Sequence, residues 1–332
     1  MRRTTRAAAV TLAAALALTA CGGDEGTSAA GGDGETAYPE EGETLEWTIA
    51  FGPGGGNDIM SRQIIEILQQ EELWPGDINP QNREGGSGAT GWGYLLNQAG
   101  DPYAISTTSG SFITTPLQAD TGWTYEDFTP VGYFATDDAY FVVPSGTGIE
   151  SWEQWVEFAQ SEGTVQVGGI GTVNVDFILH SLLAEQAGYE IDYVPFNEEG
   201  QLQTALLSGA LDAIVSNTGS ILGQIQAEEV TPLLFTGPER LEVLPDVPAA
   251  EELGITDLVT QPRGLILPPD VDPAVQDWWI ETMQQVVETP AWQEYIESEY
   301  LTPQEAWGED FTAVLDDTST RFETILQEQG AL

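Results

Sequence analysis

"LEWTIAFGPGGGNDIMSRQIIEILQQ", Leu45 to Gln70, decides how this chain folds. Residues 45–51 are β-like, and residues 58–70 carry Ile64, Ile65 and Leu68 at helical spacing. Asn57 or Asp58 is placed to cap that helix. Between strand and helix stand Pro53 and three glycines, Gly54, Gly55 and Gly56. Glycine lets the backbone turn sharply and come close to a bound group.

The same order recurs. "TVQVGGIGTVNVDFILHSLLAEQAG", residues 164–188, reads as strand, glycine loop, helix. A third glycine-rich helix entry runs from Gly85 through Ser87 and Gly88 to Thr90. Further strand-like pieces are residues 103–108, 129–136, 139–144, 191–196, 211–216, 231–237 and 263–269. Helical patterns occupy residues 151–160 and 200–209 and most of the tail from Asp272 onward. Strands alternating with helices predict an α/β fold of mostly parallel sheets flanked by helices. Two matching openings, near 51–58 and 168–176, predict two similar lobes. Any ligand is expected in the crevice beyond the carboxyl ends of the strands.

A helix N-terminus supplies free N–H groups and partial positive charge, so a glycine loop leading into a helix can hold an anion without a charged side chain. The point matters because the chain has no lysine. Against 54 Asp and Glu stand eight basic residues, all arginine, at 2, 3, 6, 62, 83, 240, 263 and 321. That balance excludes nucleic acid as a partner, since phosphates demand a basic face. A hydrophobic fraction of 41% with ten Trp excludes a disordered acidic chain. A folded protein with a densely acidic surface remains, which reads as salt adaptation: at 1 M salt the Debye length falls to about 3 Å and self-repulsion is screened.

Residues 1–21, "MRRTTRAAAVTLAAALALTAC", have the basic start, apolar run and small-residue end of an export signal. Leu18-Thr19-Ala20-Cys21 is similar to a bacterial lipobox, and Cys21 is the only cysteine, so it is the expected lipidation site. Residues 22–44 are Gly-, Ser-, Asp- and Glu-rich and read as a flexible tether.

Several segments together resemble one family. "FGPGGGNDIMSRQI" (51–64) resembles the Pro-Gly-Gly-x-x-Asp opening of the Bug family, the extracytoplasmic solute-binding proteins of tripartite tricarboxylate transporters. "NREGGSGATGWGYL" (82–95), "VPFNEEGQLQTALLSGALDA" (194–213) and "TGPERLEVLPDVPAAEELGI" (236–255) resemble later segments of that family, in the same order. Departures stand at Glu84, at Asn197-Glu198 where Lys-Gly is common, and at Arg263 near a usual aromatic.

The resemblance implies a two-lobed flytrap, lobe 1 from 45–142 plus 264–332 and lobe 2 from 143–263. It implies that Phe51 and Gly54–Asp58 of one lobe and Gly169, Ile170, Gly171, Thr172 and Asn174 of the other pinch a small carboxylate, with Ser87 and Phe196 beside them. The partners it implies are that carboxylate, the membrane through the lipid on Cys21, and permease subunits; a monomer is expected, with no cofactor or metal. A ligand sensor of the same fold and a secreted hydrolase with paired carboxylates are the competing readings.

Other candidates carry two readings each. Asp58 either caps its helix, the favoured reading, or contacts a ligand amine. Thr107, Thr108 and Ser109 end one strand, and Ser216 and Asn217 another, where hydroxyls can meet a ligand or only a loop. His180, the only histidine, lies in an apolar helix and reads as structural. Arg62 reads as an ion-pair partner within its helix and Trp278-Trp279 as core. No Ser-His-Asp set, metal-spaced cluster or cysteine nucleophile stands out.

Overall fold

The computed structural model describes residues 38–172, 174–196, 198–328 and 330. The export signal, Cys21, the tether up to residue 37 and Asn197 lie outside the described residues. Strand β1 (Leu45–Ile49) leads through the glycine loop into helix α1 (Gly56–Gln70), and β2 (Ile78–Asn82) into α2 (Ala89–Leu96). Strand β3 (Ala104–Thr108) leads into α3 (Ser111–Gln118), and β4 (Thr129–Asp137) follows. The chain then enters a second sheet through β5 (Ala139–Pro144), α4 (Trp152–Glu162), β6 (Thr164–Ile170) and α5 (Val175–Ala187). That part continues with β7 (Glu190–Phe196), α6 (Glu199–Leu207), β8 (Ala213–Asn217), α7 (Thr218–Gln226) and β9 (Val230–Phe235). It returns through β10 (Gln261–Leu267), α8 (Pro273–Glu288), α9 (Pro290–Ser298), β11 (Thr302–Trp307) and α10 (Glu309–Glu328).

The sheets run β11-β4-β10-β3-β1-β2 and β7-β6-β8-β5-β9. Both are mixed rather than mostly parallel. The parallel pairs, β1 with β2 and β3, and β6 with β7 and β8, are the ones joined by helical crossovers. β10 runs antiparallel to β3 and β4, and β5 runs antiparallel to β8 and β9. The reason is topological. β5 and β10 arrive from the other sheet without a helical crossover, so they enter against the strands already there.

Asp138 alone separates β4 from β5. Its carboxylate accepts from Thr136 Oγ1 (3.1 Å) and Thr302 Oγ1 (2.7 Å), while the Ala139 N–H donates to Thr236 Oγ1 (2.8 Å). Both chain crossings are thus tied together by buried hydroxyls.

Each helix buries one stripe. Ile64 and Leu68 of α1, Trp279 and Met283 of α8 and Trp292 of α9 share one core cluster with Leu45 and Trp47 of β1 and Phe134 of β4, against which Trp292 packs edge-on. Leu202 and Leu206 of α6 and Ile221 of α7 pack on Val142 and Ile214. A third cluster is continuous through both sheets' other faces, from Trp92, Phe112 and Phe322 to Trp155 and Ile178. Each such large side chain contributes about 1.5–3 kcal/mol by leaving water.

Local details correct three expectations. α1 starts earlier than its polar residues suggest: Gly55 is its N-cap, and Asn57 and Asp58 lie in the first turn. Residues 111–118 and 218–226, for which no helix was expected, form α3 and α7, and β11 was not expected either. Tyr38, within the expected tether, is docked: its ring packs edge-on against Trp74 and Trp278, and Trp279 Nε1 donates to its hydroxyl (2.8 Å).

Candidate functional site

The first-sheet wall of the cleft begins at the glycine loop. Gly54 has φ +83°, which favours glycine, and its N–H donates to Asp58 (2.9 Å). Asp58 also accepts from Arg62 Nε and Asn82 Nδ2, both at 2.9 Å. Burial raises its pKa, but these three donors outweigh burial and hold it below the usual carboxylate range. Asp58 and Arg62 therefore fasten the loop to the helix and to β2. Asn57 ties α1 to β3: its Nδ2 donates to Thr108 O (3.2 Å), and its Oδ1 accepts from Thr107 Oγ1 (2.6 Å). Phe51 packs edge-on against Trp92 at 5.6 Å. Gly55 and Gly56 remain exposed at the α1 N-terminus.

The second-sheet wall is the β6–α5 loop. Gly171, at φ +78°, donates its N–H to Phe196 O (2.8 Å), and its carbonyl accepts from Tyr193 Oη (3.0 Å). Asn174 caps α5 by accepting the Asp176 N–H (3.0 Å). Asp176 reaches back to accept the Ile170 N–H (2.7 Å), lying so close under Gly169 that a Cβ there would sit 2.5 Å from its own Cβ. Phe196 contributes its carbonyl, and its ring packs with the α6 and α7 cluster.

The two walls meet. A cavity of about 240 Å³ lies between the second-sheet loop and the Gly86–Ser87 turn of the first, lined by Gly86, Ser87, Gly171, Thr172 and Asn174; Phe51 and Gly54–Asp58 are not among its lining residues. Ser111, Thr114 and Thr115 of α3, not anticipated from the sequence, line it too. Ser87 sits at φ +50°, its carbonyl held by Thr115 Oγ1 (2.9 Å). Thr108 and Ser109 are buried at the end of β3, and neither hydroxyl has a partner among the described residues.

The sequence reading also missed a buried charged cluster drawn from both sheets. Arg263 is 6% exposed and bonds Asp137. Its guanidinium lies against the α1 N-terminus, where a Cβ on Gly56 would stand 2.7 Å from Nη2. From the second sheet, Glu199 in the first turn of α6 accepts from the Ser216 hydroxyl and from Gln203 Nε2 (3.2 Å). Burial raises the Glu199 pKa, its two donors lower it, the Asp137 charge raises it, and the net direction is up. Burial, opposed by the Ile170 N–H and reinforced by Glu199 and Asp137, pushes Asp176 up to about 7. His180 is fully buried with Nε2 on Gly168 O (3.1 Å), and burial pushes it down to about 4, so it is neutral core. Among the described residues no His, Cys, Asp and Glu grouping could hold a metal ion, and no helix is long and apolar enough to cross a membrane.

Two α/β lobes with a cavity between them have the two-lobed architecture of periplasmic binding proteins. The chain belongs to the family described as "Tripartite tricarboxylate transporter family receptor", which matches residues 68–331. It is accordingly a binding receptor and not an enzyme. Protein BugT of Bordetella pertussis is 23% identical over 293 residues, covering 86% of this chain and 89% of the relative. A UPF0065 protein of Cupriavidus necator is 20% identical over 288 residues, covering 86% and 87%. Among solved structures, periplasmic binding protein BugD superposes with a TM-score of 0.75 at 19% identity, covering 88% of this chain and 99% of that one. MatC of Rhodopseudomonas palustris with bound malate gives a TM-score of 0.72 at 18% identity, covering 85% and 98%. A second protein of that organism, with adipate, gives 0.77 at 19%, covering 88% and 98%. The two-lobed fold and the Bug-type family expected from the glycine loops are therefore borne out.

Proposed function

We propose that this receptor is held to the outer face of the cell membrane by a lipid on Cys21, captures a small carboxylate and delivers it to the permease subunits of a tripartite transporter. The observation that carries the reading is the cavity between Ser87, α3 and the Gly171–Asn174 loop, set at the ends of both sheets. The malate and adipate in the two relatives are ligands of the size and charge it would take.

In this reading Gly55, Gly56 and the α1 N-terminus receive one carboxylate end, opposite Gly171, Thr172 and Asn174. Asn57, Asp58 and Ile170 set the loop geometry from behind. Asp138 and the segment leading into β10 serve as the hinge, the protein works as a monomer, and the acidic surface keeps it soluble in high salt. A thermal-shift screen of carboxylic acids, malate and adipate included, tests the reading. A concentration-dependent rise in melting temperature with at least one acid is expected. A flat response across mono-, di- and tricarboxylates would refute it.

A further inference from the structure

Gly110 has no backbone reason to be glycine. It caps α3 at φ −54° and ψ −33°, the ordinary right-handed helical region open to any L-residue. Alanine is favoured in such a place, because glycine loses more chain entropy on folding. The reason for glycine lies in what approaches it. A Cβ at 110 would stand 2.5 Å from Val175 Cγ2 and 2.8 Å from Gln261 Oε1. Both lie well inside the separation of about 3.5–4.0 Å at which non-bonded heavy atoms rest. Neither neighbour is free to give way. Gln261 Oε1 accepts the Gly110 N–H (3.1 Å). Val175 is 1% exposed and begins helix α5, where a β-branched side chain keeps to one rotamer.

The two residues belong to different lobes. α3 packs with α2 and α10 beside the first sheet, and α5 packs on β6, β7 and β8 of the second. Gln261, the first residue of β10, pairs with Asp137, one residue before the Asp138 crossing. The start of α3, the start of α5 and the place where the chain changes sheet therefore converge. The contact also sits at the edge of the cavity: Ser111 follows Gly110, Asn174 precedes Val175, and both line it. Where α7 meets the end of α9 the spacing between lobes is ordinary, since a Cβ on Gly219 would stand 3.4 Å from the Glu299 carboxylate.

We propose that Gly110 is the seat on which the two lobes close. With a hydrogen in place of a side chain, the start of α5 comes down onto the start of α3. That brings Gly171, Thr172 and Asn174 around one cavity with Ser111, Thr114 and Thr115. A methyl group at 110 is a wedge. It meets Val175 before the walls reach this spacing, and the chain crossings at Asp138 and before β10 take up the difference by opening. The proposal rests on the capture reading and assigns its closing step to one residue. Gly110 is a positioning residue, acting through Val175 and the neighbouring Asn174. Fixed core packing of the same pair would make a side chain at 110 lower stability, but it would leave the separation of the lobes unchanged.

The test uses the full chain carrying Cys21→Ser, which removes its only thiol. Gly110→Cys with Val175→Cys places two Cβ atoms at most about 4 Å apart, the span of a disulfide. Mild oxidation should therefore link 110 to 175 within one chain, read by mass spectrometry of the joined peptides. Small-angle X-ray scattering then reads the separation of the lobes. Gly110→Ala should have a larger radius of gyration than the oxidised pair, and adding Val175→Ala should reverse the increase by giving the methyl room. Gly110→Ala should also bind malate or adipate, whichever raises the wild-type melting temperature, about tenfold or more weakly, the effect of cutting the closed population to a tenth. Failure of the pair to oxidise, a radius equal to that of the oxidised pair or unmoved by Val175→Ala, or an unchanged affinity would each overturn the seat. A lowered melting temperature with an unchanged radius would overturn it too, in favour of fixed packing. If neither acid shifts the wild type, the capture reading for those acids fails, while the cross-link and the scattering still decide the seat.

Discussion

Asp176→Asn should stabilise the ligand-free protein, and only at neutral and alkaline pH. In the folded chain the Asp176 carboxyl is 7% exposed and titrates at about 7, against 3.8 when unperturbed. The groups that set this are burial, the Ile170 N–H, Glu199 and Asp137. Below pH 3.8 the proton is bound in both states and the group has no effect. Between 3.8 and 7 the unfolded chain releases the proton while the folded chain keeps it, so stability falls as pH rises. Above 7 the whole penalty is present. A gap of about three pH units, at about 1.4 kcal/mol each, makes it about 4 kcal/mol. Asparagine cannot ionise, yet it still offers an oxygen to the Ile170 N–H. The variant should therefore exceed the wild type by about 4 kcal/mol at pH 8 and by a few tenths at pH 4. Urea unfolding followed by tryptophan fluorescence at the two pH values, in one fixed high salt concentration, measures the difference. A gap of equal size at both pH values, or a wild type that is the more stable at pH 8, would refute the reasoning.

Three further outcomes are expected. Cys21→Ser should move the protein from the membrane fraction to the soluble fraction without altering its melting temperature; continued membrane association of the processed variant would count against the lipid anchor. Gly171→Val places a β-branched residue at φ +78° with its Cβ 3.2 Å from the Asn174 side chain, so it should cost about 1–3 kcal/mol and abolish binding of the best acid found by thermal shift. Unchanged affinity in calorimetry would remove the second-sheet loop from the site. Arg263→Met leaves Asp137 buried without its partner and should cost about 3–5 kcal/mol in urea unfolding, whereas the double change with Asp137→Leu should recover most of that loss.

The fold was legible because its signals are local and repeated. Leu45–Gln70 and Thr164–Gly188 each carry strand, glycine and helix in one continuous run, and the helix caps at Asp272 and Ser151 accept the N–H groups of Ala274 and Gln154. What escaped lacks such signals. Helix α3, "SFITTPLQ", is rich in β-branched residues, contains Pro116 and has no side-chain cap, so only its packing against α2 and α10 makes it helical. Helix α7 opens on Thr218-Gly219-Ser220, a turn-like triplet, and takes no side-chain cap from Asn217. The mixed strand directions follow from which sheet each strand joins, and the periodicity of a single strand does not contain that information.

The site was legible in its backbone and hidden in its charges. Glycine loops announce themselves, but Glu199 and Asp137 are two among 54 acids, and nothing in their neighbours marks them as buried. Pairing between elements distant in sequence does: Glu199 of α6 meets Ser216 of β8, seventeen residues on, and Asp137 of β4 meets Arg263 of the neighbouring β10 across 126. The same pairing revises how a chain without lysine can hold an anion. The Gly54 N–H is consumed by Asp58, so the first loop offers less free backbone than its three glycines suggest. Under the proposed function Arg263 is the side chain placed to take that role, since β10 brings it against Gly56 and Asp137 neutralises it in advance. An arginine held this way cannot attract an anion over a distance, since its partner cancels its field beyond the first few ångströms. It can still donate hydrogen bonds at contact, where direction matters more than net charge.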